Sequence, residues 1–488
     1  MLGPKMRATM RVVCEFLSRV KSAVKSKVTS GVNLKRAPFA CLVLSFFFLH
    51  AVFSATEPVV RFLRFEEAAE TLKLFAEAGL SGGDFKDAAA WNDWVRTRDA
   101  GVRGRIDRGV EDSISNLILY GASYTNLPRL ENAESAASET GELTASALAR
   151  AHAFAVALPN AARNERLRFA RDFLERKGID KDSVEAKLQE NLRRLIAEQR
   201  AYQEKLKESE KAADPAAALL ARGTLFQDRG LSVDTSLLPN YALEDTLRTM
   251  LRKGAIKPGT MRRILVIGPG LDFTDKRDGY DFYPLQTIQP FAMLETVARL
   301  GLGKAEEISV VTADLNAAVN AHVGRLAQRG RAGQPYTVQL PRLVSAEWSP
   351  EAVAYWQKFG EILGTPVKPL PVPASVSDVT MRAVAVRPRY AAQMRGFDMN
   401  VVTQTMDVPE GQGFDLVVAT NVLVYYDLFQ QALAMGSIAH MMNHRGIFLA
   451  NHALPAQHAE ALEYLGRRTV GYTPSGEYGD DVVAYRRR

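Results

Sequence analysis

Cysteine is nearly absent from this chain of 488 residues. Its two cysteines, Cys14 and Cys41, both lie within the first 41 residues. A chain from which that stretch is cleaved would hold no disulfide, no thiolate metal site and no cysteine nucleophile. The seven histidines show no spacing with carboxylates that is typical of a metal site, so we predict that the protein binds no metal.

Most of the chain also lacks a net charge of either sign. Residues 1–36 hold nine Lys and Arg against one acidic residue, so the remaining 452 residues carry a net charge of −1, although the whole chain carries +7. Nucleic-acid binding needs a basic surface, which the body of the chain does not supply. We therefore predict no nucleic-acid partner.

One uncharged apolar run stands out, at residues 39–53, directly after the basic stretch. Fifteen residues are short for a bilayer span, which needs about 20, but they suit the apolar part of a signal peptide. Residues 1–55 therefore predict a cleaved signal or a membrane anchor through residues 37–55, and a protein that is exported or held at the membrane. If the true start lies further along, this leader does not exist and the protein is cytoplasmic.

Beyond the leader, the pattern of the sequence changes once. Residues 56–254 show mainly helical periodicity and predict an all-α domain, in which the mixed-charge run 103–112 is typical of a solvated, salt-bridged helix face. From residue 255 on, short apolar strands alternate with helices, which predicts an α/β domain over 255–488. We expect residues 339–396 to form an inserted cap over the active site, and the 228–241 loop to lie near the mouth of the ligand site.

The first strand of the α/β part is followed by a glycine turn. The four branched apolar residues from Ile264 to Ile267 are typical of a parallel strand that is buried on both faces, and Gly268-Pro269-Gly270 follows them. Ligands of open α/β sheets bind at the carboxyl ends of the strands. The second predicted strand ends at Asp314, whose carboxylate would be placed to accept both ribose hydroxyls of a nucleoside cofactor.

Two classes of cofactor compete for this turn. The NAD fingerprint requires a third glycine where this chain has Phe273, and it requires an acid about 20 residues further on. Asp314 instead follows Gly270 by 44 residues. S-adenosylmethionine (SAM) has no phosphate and needs only the glycine turn, so the pattern favours SAM over NAD and disfavours an oxidoreductase.

Three further strands are predicted at residues 400–409, where the third strand would end near Asp407, and at 414–419 and 447–452. With them, residues 262–318 and 398–486 resemble the class I SAM-dependent methyltransferases. The run from Phe414 to Asp427 is similar to that of the chemotaxis-receptor (protein-glutamate) methyltransferases. The resemblance implies a Rossmann-like, mostly parallel sheet of about seven strands whose last strand is antiparallel.

The resemblance also implies where the cofactor lies. Gly268 and Gly270 would pass under the methionine part of SAM, Asp314 would hold the ribose, and Asp407 would bond to the adenine amine. The remaining residues that it places at the cofactor are Asp272, Leu315, Val408, Asn421 and Val422. One departure is Thr420, which stands where the chemotaxis enzymes carry an arginine.

These patterns predict a SAM-dependent methyltransferase that transfers a methyl group in line to an oxygen or nitrogen nucleophile. The acceptor would be a small molecule or a protein, and the helical domain would cover it. Catalytic residues are left unassigned, although four residues would lie near the expected crevice: Tyr280, Asp281, Tyr425 and Asp427. The alternative is an inactive, methyltransferase-like binding or scaffold protein of the cell envelope, since SAM is a cytoplasmic metabolite and the leader predicts export.

Overall fold

The computed structural model describes residues 58–78, 85–211, 229–232, 234–274, 280–374, 376–409, 411–451, 461–476 and 478–488. The predicted leader lies outside these ranges, so its role as a signal or anchor stays a prediction. None of the helices within the described ranges is long and apolar enough to cross a membrane.

Seven strands form a mixed sheet at the centre of the fold. Their order across the sheet is β7 (Arg395–Asp398), β3 (Ser309–Asp314), β2 (Arg263–Ile267), β9 (Phe414–Ala419), β10 (Met442–Ala450), β12 (Gly479–Arg487) and β11 (Leu462–Gly471). Neighbours from β7 to β10 are parallel, and β12 runs antiparallel to both of its neighbours. The predicted Rossmann-like, mostly parallel sheet of about seven strands, with its last strand antiparallel, is confirmed.

The central strand β2 is apolar on both faces because each face packs against helices. Ile264 and Val266 belong to one apolar cluster, and Leu265 and Ile267 belong to another. This alternation is the period of two that a strand imposes on its side chains. A strand buried in this way fixes the glycine turn that follows it.

Eleven α-helices lie within the described residues. They are α1 (Phe65–Glu77), α2 (Ala88–Tyr120), α3 (Ala145–Ala157), α4 (Glu165–Arg176), α5 (Val184–Lys211), α6 (Leu238–Arg252), α7 (Gln289–Arg299), α8 (Ala317–Arg331), α9 (Pro350–Lys358), α10 (Pro388–Ala392) and α11 (Leu428–Met441). Helices α6 and α7 cover one face of the sheet, and α11 covers the other.

Helices α2 to α5 pack over the loop that follows β2. Their apolar cluster includes Leu271 and Phe273 from that loop and Val319 from α8. Residues 58–488 form one unit. The predicted boundary near residue 254 stays a prediction.

The third strand of the sheet differs from the predicted one. It is β7, whereas the predicted segment contains β8 (Gln404–Asp407), which pairs antiparallel with β1 (Val59–Phe62) in a separate two-stranded sheet. Strand β7 reads Arg-Gly-Phe-Asp and lies at the edge of the sheet, so it carries little of the apolar pattern that marks a buried strand. The apolar residues that follow it, Val401 and Val402, are buried from a turn instead.

The inserted segment forms a three-stranded antiparallel sheet. Its strands are β4 (Tyr336–Leu343), β5 (Gly364–Val367) and β6 (Val379–Val386), with β6 in the middle. Glu295 of α7 accepts hydrogen bonds from the backbone N–H groups of Ile362 and Leu363, each at 3.1 Å. The insertion is therefore anchored on the helices that cover the main sheet.

Candidate functional site

A cavity of about 540 Å³ opens at the carboxyl ends of β2, β3 and β9. Small-molecule sites are typically of about this size, and open α/β sheets place them at this edge. Its described lining residues come from the strand ends, from α2, from the segment before α6 and from the turn after β9. Of the described residues of the insertion, none lines it.

The glycine turn forms the floor of this cavity. Gly268 and Gly270 both have left-handed backbone conformations, with φ of 65° and 63°. The Gly268 N–H donates to the carbonyl of Ala313 at 2.8 Å, and a Cβ at Gly268 would collide with the Val422 side chain. Only glycine fits this close approach without strain.

Asp314 places a carboxylate on the cavity wall. Its Oδ1 accepts a hydrogen bond from the Asn316 N–H at 2.7 Å. Burial raises the pKa of Asp314 to about 6, although backbone hydrogen bonds from Asn316 and Gly270 oppose the rise. The carboxylate is therefore mainly ionised at neutral pH.

Asn316 lines the cavity beside Asp314 and caps helix α8. Its Oδ1 accepts from the Ala318 N–H at 2.9 Å, while its Nδ2 is buried without a hydrogen-bond partner. A buried amide donor of this kind is costly unless a ligand supplies an acceptor.

The turn after β9 brings Asn421 and Val422 to the cavity. Asn421 is left-handed, with φ of 56°, and its N–H donates to Oδ1 of Asn451 at 2.9 Å. The Asn451 amide donates back to Asn421 Oδ1. The predicted site residues that the structure brings together are Gly268, Gly270, Asp314, Leu315, Asn421 and Val422.

The other three predicted cofactor residues lie elsewhere. Asp272 is buried beside the turn, where its Oδ2 accepts from the Tyr283 hydroxyl at 3.0 Å and the Gln286 amide at 2.7 Å. Asp407 bonds to Arg61 through both carboxylate oxygens at 2.9 Å, and its side chain is 48% exposed. Neither residue lines the cavity, and Val408, next to Asp407, does not line it either.

Two apolar residues after the true third strand take part in the site. Met399 and Val401 line the cavity, and the Met399 N–H donates to the Asp314 carbonyl at 3.3 Å. The sequence prediction missed them because it placed the third strand too far along the chain.

Of the residues expected near the crevice, Tyr425 lines the cavity. Burial raises the pKa of its phenol. Tyr280 lines a smaller neighbouring cavity. Asp281 accepts from the backbone N–H groups of Ala122 and Ser123, and Asp427 caps α11, so these two carboxylates hold chain segments in place.

The segment before α6 lines the cavity, and we call residues 229–232 and 234–236 the strap. Five strap residues line the cavity: Leu231, Ser232, Asp234, Thr235 and Ser236. The predicted loop 228–241 therefore reaches the cavity at these five residues and at Pro239; Asp228 and Val233 lie outside the described residues. The Thr235 N–H donates to the carbonyl of Leu271 at 3.0 Å, which ties the strap to the glycine turn.

Arg105 of α2 links two walls of the cavity. Its guanidinium donates to the Arg229 carbonyl of the strap through Nε at 2.9 Å and Nη2 at 2.8 Å, and to the Tyr425 carbonyl through Nη1 at 3.0 Å. Close packing of Gly109 against Gly230 brings the strap onto the helix backbone. The mixed-charge run 103–112 is therefore only partly a solvated helix face, because Arg105 and Gly109 contact the strap. The sequence signal for this close contact was the glycine within a long helical pattern.

No protein-family model matches this sequence, and no curated protein matches it. Its fold is similar to that of the N-methyltransferase NodS from Bradyrhizobium japonicum WM9, at 14% identity over 50% of this chain and 97% of that chain, with a TM-score of 0.24. It is also similar to magnesium protoporphyrin IX methyltransferase (ChlM) from Synechocystis PCC 6803, at 10% identity over 51% and 79%, with a TM-score of 0.25. A third similar structure is the [4+2]-cyclase SpnF, at 10% identity over 51% and 80%, with a TM-score of 0.24. None of these similar structures supports the predicted resemblance to chemotaxis-receptor methyltransferases. The strand order and the cavity are properties of this structure and do not depend on the similar structures.

Proposed function

We propose that this protein is a SAM-dependent methyltransferase whose cofactor lies in the cavity at the carboxyl ends of β2, β3 and β9. The observation that carries the proposal is the convergence of the Gly268–Gly270 turn and the Asp314 carboxylate on one cavity. The turn lacks the third glycine that a dinucleotide pyrophosphate requires.

The residues that line the cavity fit a nucleoside with an amino-acid tail. Asp314, ionised at neutral pH, accepts hydrogen bonds from vicinal ribose hydroxyls. The buried Nδ2 of Asn316 offers a donor to the nucleoside, and Met399 and Val401 offer apolar contacts to a purine ring. The glycine turn leaves the floor open for the tail.

When bound, SAM supplies an electrophilic methyl group on a sulfonium. The protein then acts by positioning and by excluding water, because an in-line displacement depends mainly on the alignment of its reactants. The strap and Tyr425–Tyr426 line the cavity, so they are the walls that would shield a bound methyl group from water. The acceptor would be an oxygen or nitrogen nucleophile of a small molecule or protein, and no general base is assigned.

The test is calorimetric titration of the full-length protein with SAM and S-adenosylhomocysteine (SAH), using Asp314→Asn and Asp407→Asn as a matched pair. We expect micromolar binding that Asp314→Asn weakens by about tenfold or more, since a charged hydrogen-bond acceptor is lost. Asp407→Asn should leave the affinity unchanged, because Asp407 pairs with Arg61 outside the cavity. Absence of binding at millimolar ligand, in a protein shown to be folded, would contradict the proposal and favour an inactive binding protein.

A further inference from the structure

One carboxylate on the strap faces the same cavity as the glycine turn. Asp234 lines the cavity and forms an isolated parallel bridge with Leu271, the residue directly after Gly270. Three neutral donors reach its Oδ2, namely Ser232 Oγ at 3.0 Å, Ser113 Oγ at 3.4 Å and Asn116 Nδ2 at 3.4 Å. The carboxylate is thus held in place from α2 and from the strap itself.

A buried hydroxyl follows this bridge three residues after Leu271. Thr274 lines the cavity, is 1% exposed, and its Oγ1 has no hydrogen-bond partner. Its segment is fixed by the buried Arg166, which donates to the carbonyl of Asp272 at 2.7 Å and to that of Phe273. Because this unpartnered hydroxyl lines the cavity, it can be satisfied by a group of a bound ligand.

We propose that Asp234 and Thr274 bind the α-amino-acid end of the cofactor. The Asp234 carboxylate accepts hydrogen bonds from the α-ammonium group, and the Thr274 hydroxyl donates to the α-carboxylate. With the ribose held by Asp314 at the end of β3, the tail lies over the glycine turn and reaches the strap. This assignment rests on the proposed function, because it concerns the same cofactor.

The experiment compares two ligands that differ at one end. SAH carries the amino-acid tail, whereas 5′-methylthioadenosine has the same nucleoside and thioether sulfur with a methyl group in its place. Calorimetry on the full-length protein should show that Asp234→Asn weakens SAH binding by about tenfold or more, because it removes a charged hydrogen-bond partner. Methylthioadenosine should change by less than about twofold, because it lacks the group that Asp234 binds.

Two threonine variants make the test independent of the folding of Asp234→Asn. Thr274→Val breaks no hydrogen bond within the protein, and it should weaken SAH by about three- to tenfold without affecting methylthioadenosine. Thr287→Val is the matched control, because Thr287 is also fully buried with an unpartnered Oγ1 but does not line the cavity. It should change neither affinity.

Equal losses for both ligands would mean that Asp234 and Thr274 are merely structural, and unchanged affinities would mean that the tail lies elsewhere. Either result overturns the assignment while leaving the cofactor class standing. A wild-type protein that binds neither ligand would overturn the proposed function itself, and the assignment with it.

Discussion

Asp314 is the side chain through which pH should act on cofactor binding. Its pKa is raised by burial from the ordinary value of 3.8 to about 6, so lowering the pH through 6 protonates it. A protonated carboxyl accepts hydrogen bonds from the ribose hydroxyls poorly. We expect the affinity for SAH to be constant between pH 7 and 8 and to fall below pH 6, by up to about tenfold per pH unit.

Measuring the SAH affinity of Asp314→Asn by calorimetry over the same pH range separates this effect from a general response to acid. The amide does not ionise, so its weaker affinity should stay flat between pH 5 and 8. Parallel pH profiles for the wild type and the variant would show that Asp314 is not the titrating group.

Several single residues of the site could be predicted because they lie at the carboxyl ends of the most apolar strands. Gly268 directly follows β2 and Asp314 is the last residue of β3, and both strands are buried on both faces, so the place of these two residues in the fold follows from the strand pattern. Thr274 and Arg105 could not be predicted in this way. Arg105 is placed by contacts far along the chain, such as the one with the Tyr425 carbonyl across 320 residues, and the segment that leads to Thr274 is fixed by Arg166, which lies 106 residues before Asp272.

Among the helices and strands, the least predictable were those with a short or polar pattern. The edge strand β7 is Arg-Gly-Phe-Asp, and its only large apolar residue, Phe397, is partly buried. The more apolar segment that includes Met406 pairs instead with β1. The site residues that depended on this assignment, Asp407 and Val408, therefore lie outside the cavity, while Met399 and Val401 line it.

The strap depends on helix α2 for its position, and one glycine tests that dependence. A Cβ at Gly109 would collide with the backbone of Leu231, whereas a Cβ at Gly104 of the same helix meets nothing. Gly109→Ala should therefore displace the strap and weaken SAH binding by about tenfold, as expected when a binding wall is lost. Because alanine favours helix over glycine, Gly104→Ala should raise stability by up to about 1 kcal/mol.

Measuring the SAH affinity and the thermal midpoint of both variants distinguishes displacement of the strap from general damage. The expected pattern is weaker binding for Gly109→Ala alone, with Gly104→Ala unchanged in affinity. If Gly109→Ala binds SAH as the wild type does, the position of the strap does not control the site.

The helical part and the sheet share their cores. Val102 of α2 packs in the cluster of β2 and β9, while Leu271 and Phe273 after β2 pack in the helical cluster. Arg166 of α4 is 1% exposed and donates to the carbonyls of Asp272, Asp281 and Tyr283. Separating the two parts would expose these apolar groups and leave a buried guanidinium without its partners, which is costly.

We therefore expect residues 58–488 to unfold in one cooperative transition. The four tryptophans make this measurable, because Trp91 and Trp94 lie in α2 while Trp348 and Trp356 lie in the insertion. Replacing one tryptophan pair by phenylalanine leaves the other pair as the fluorescent reporter. In each of the two variants, the unfolding midpoint in urea measured by fluorescence should equal the midpoint measured by far-ultraviolet circular dichroism. Two separated midpoints within one variant would show instead that the chain holds independent domains, with a boundary such as the one predicted near residue 254. A shared transition would mean that the strap, the glycine turn and their supporting helices are stabilised together, so that ligand binding at the cavity raises the midpoint reported by both tryptophan pairs.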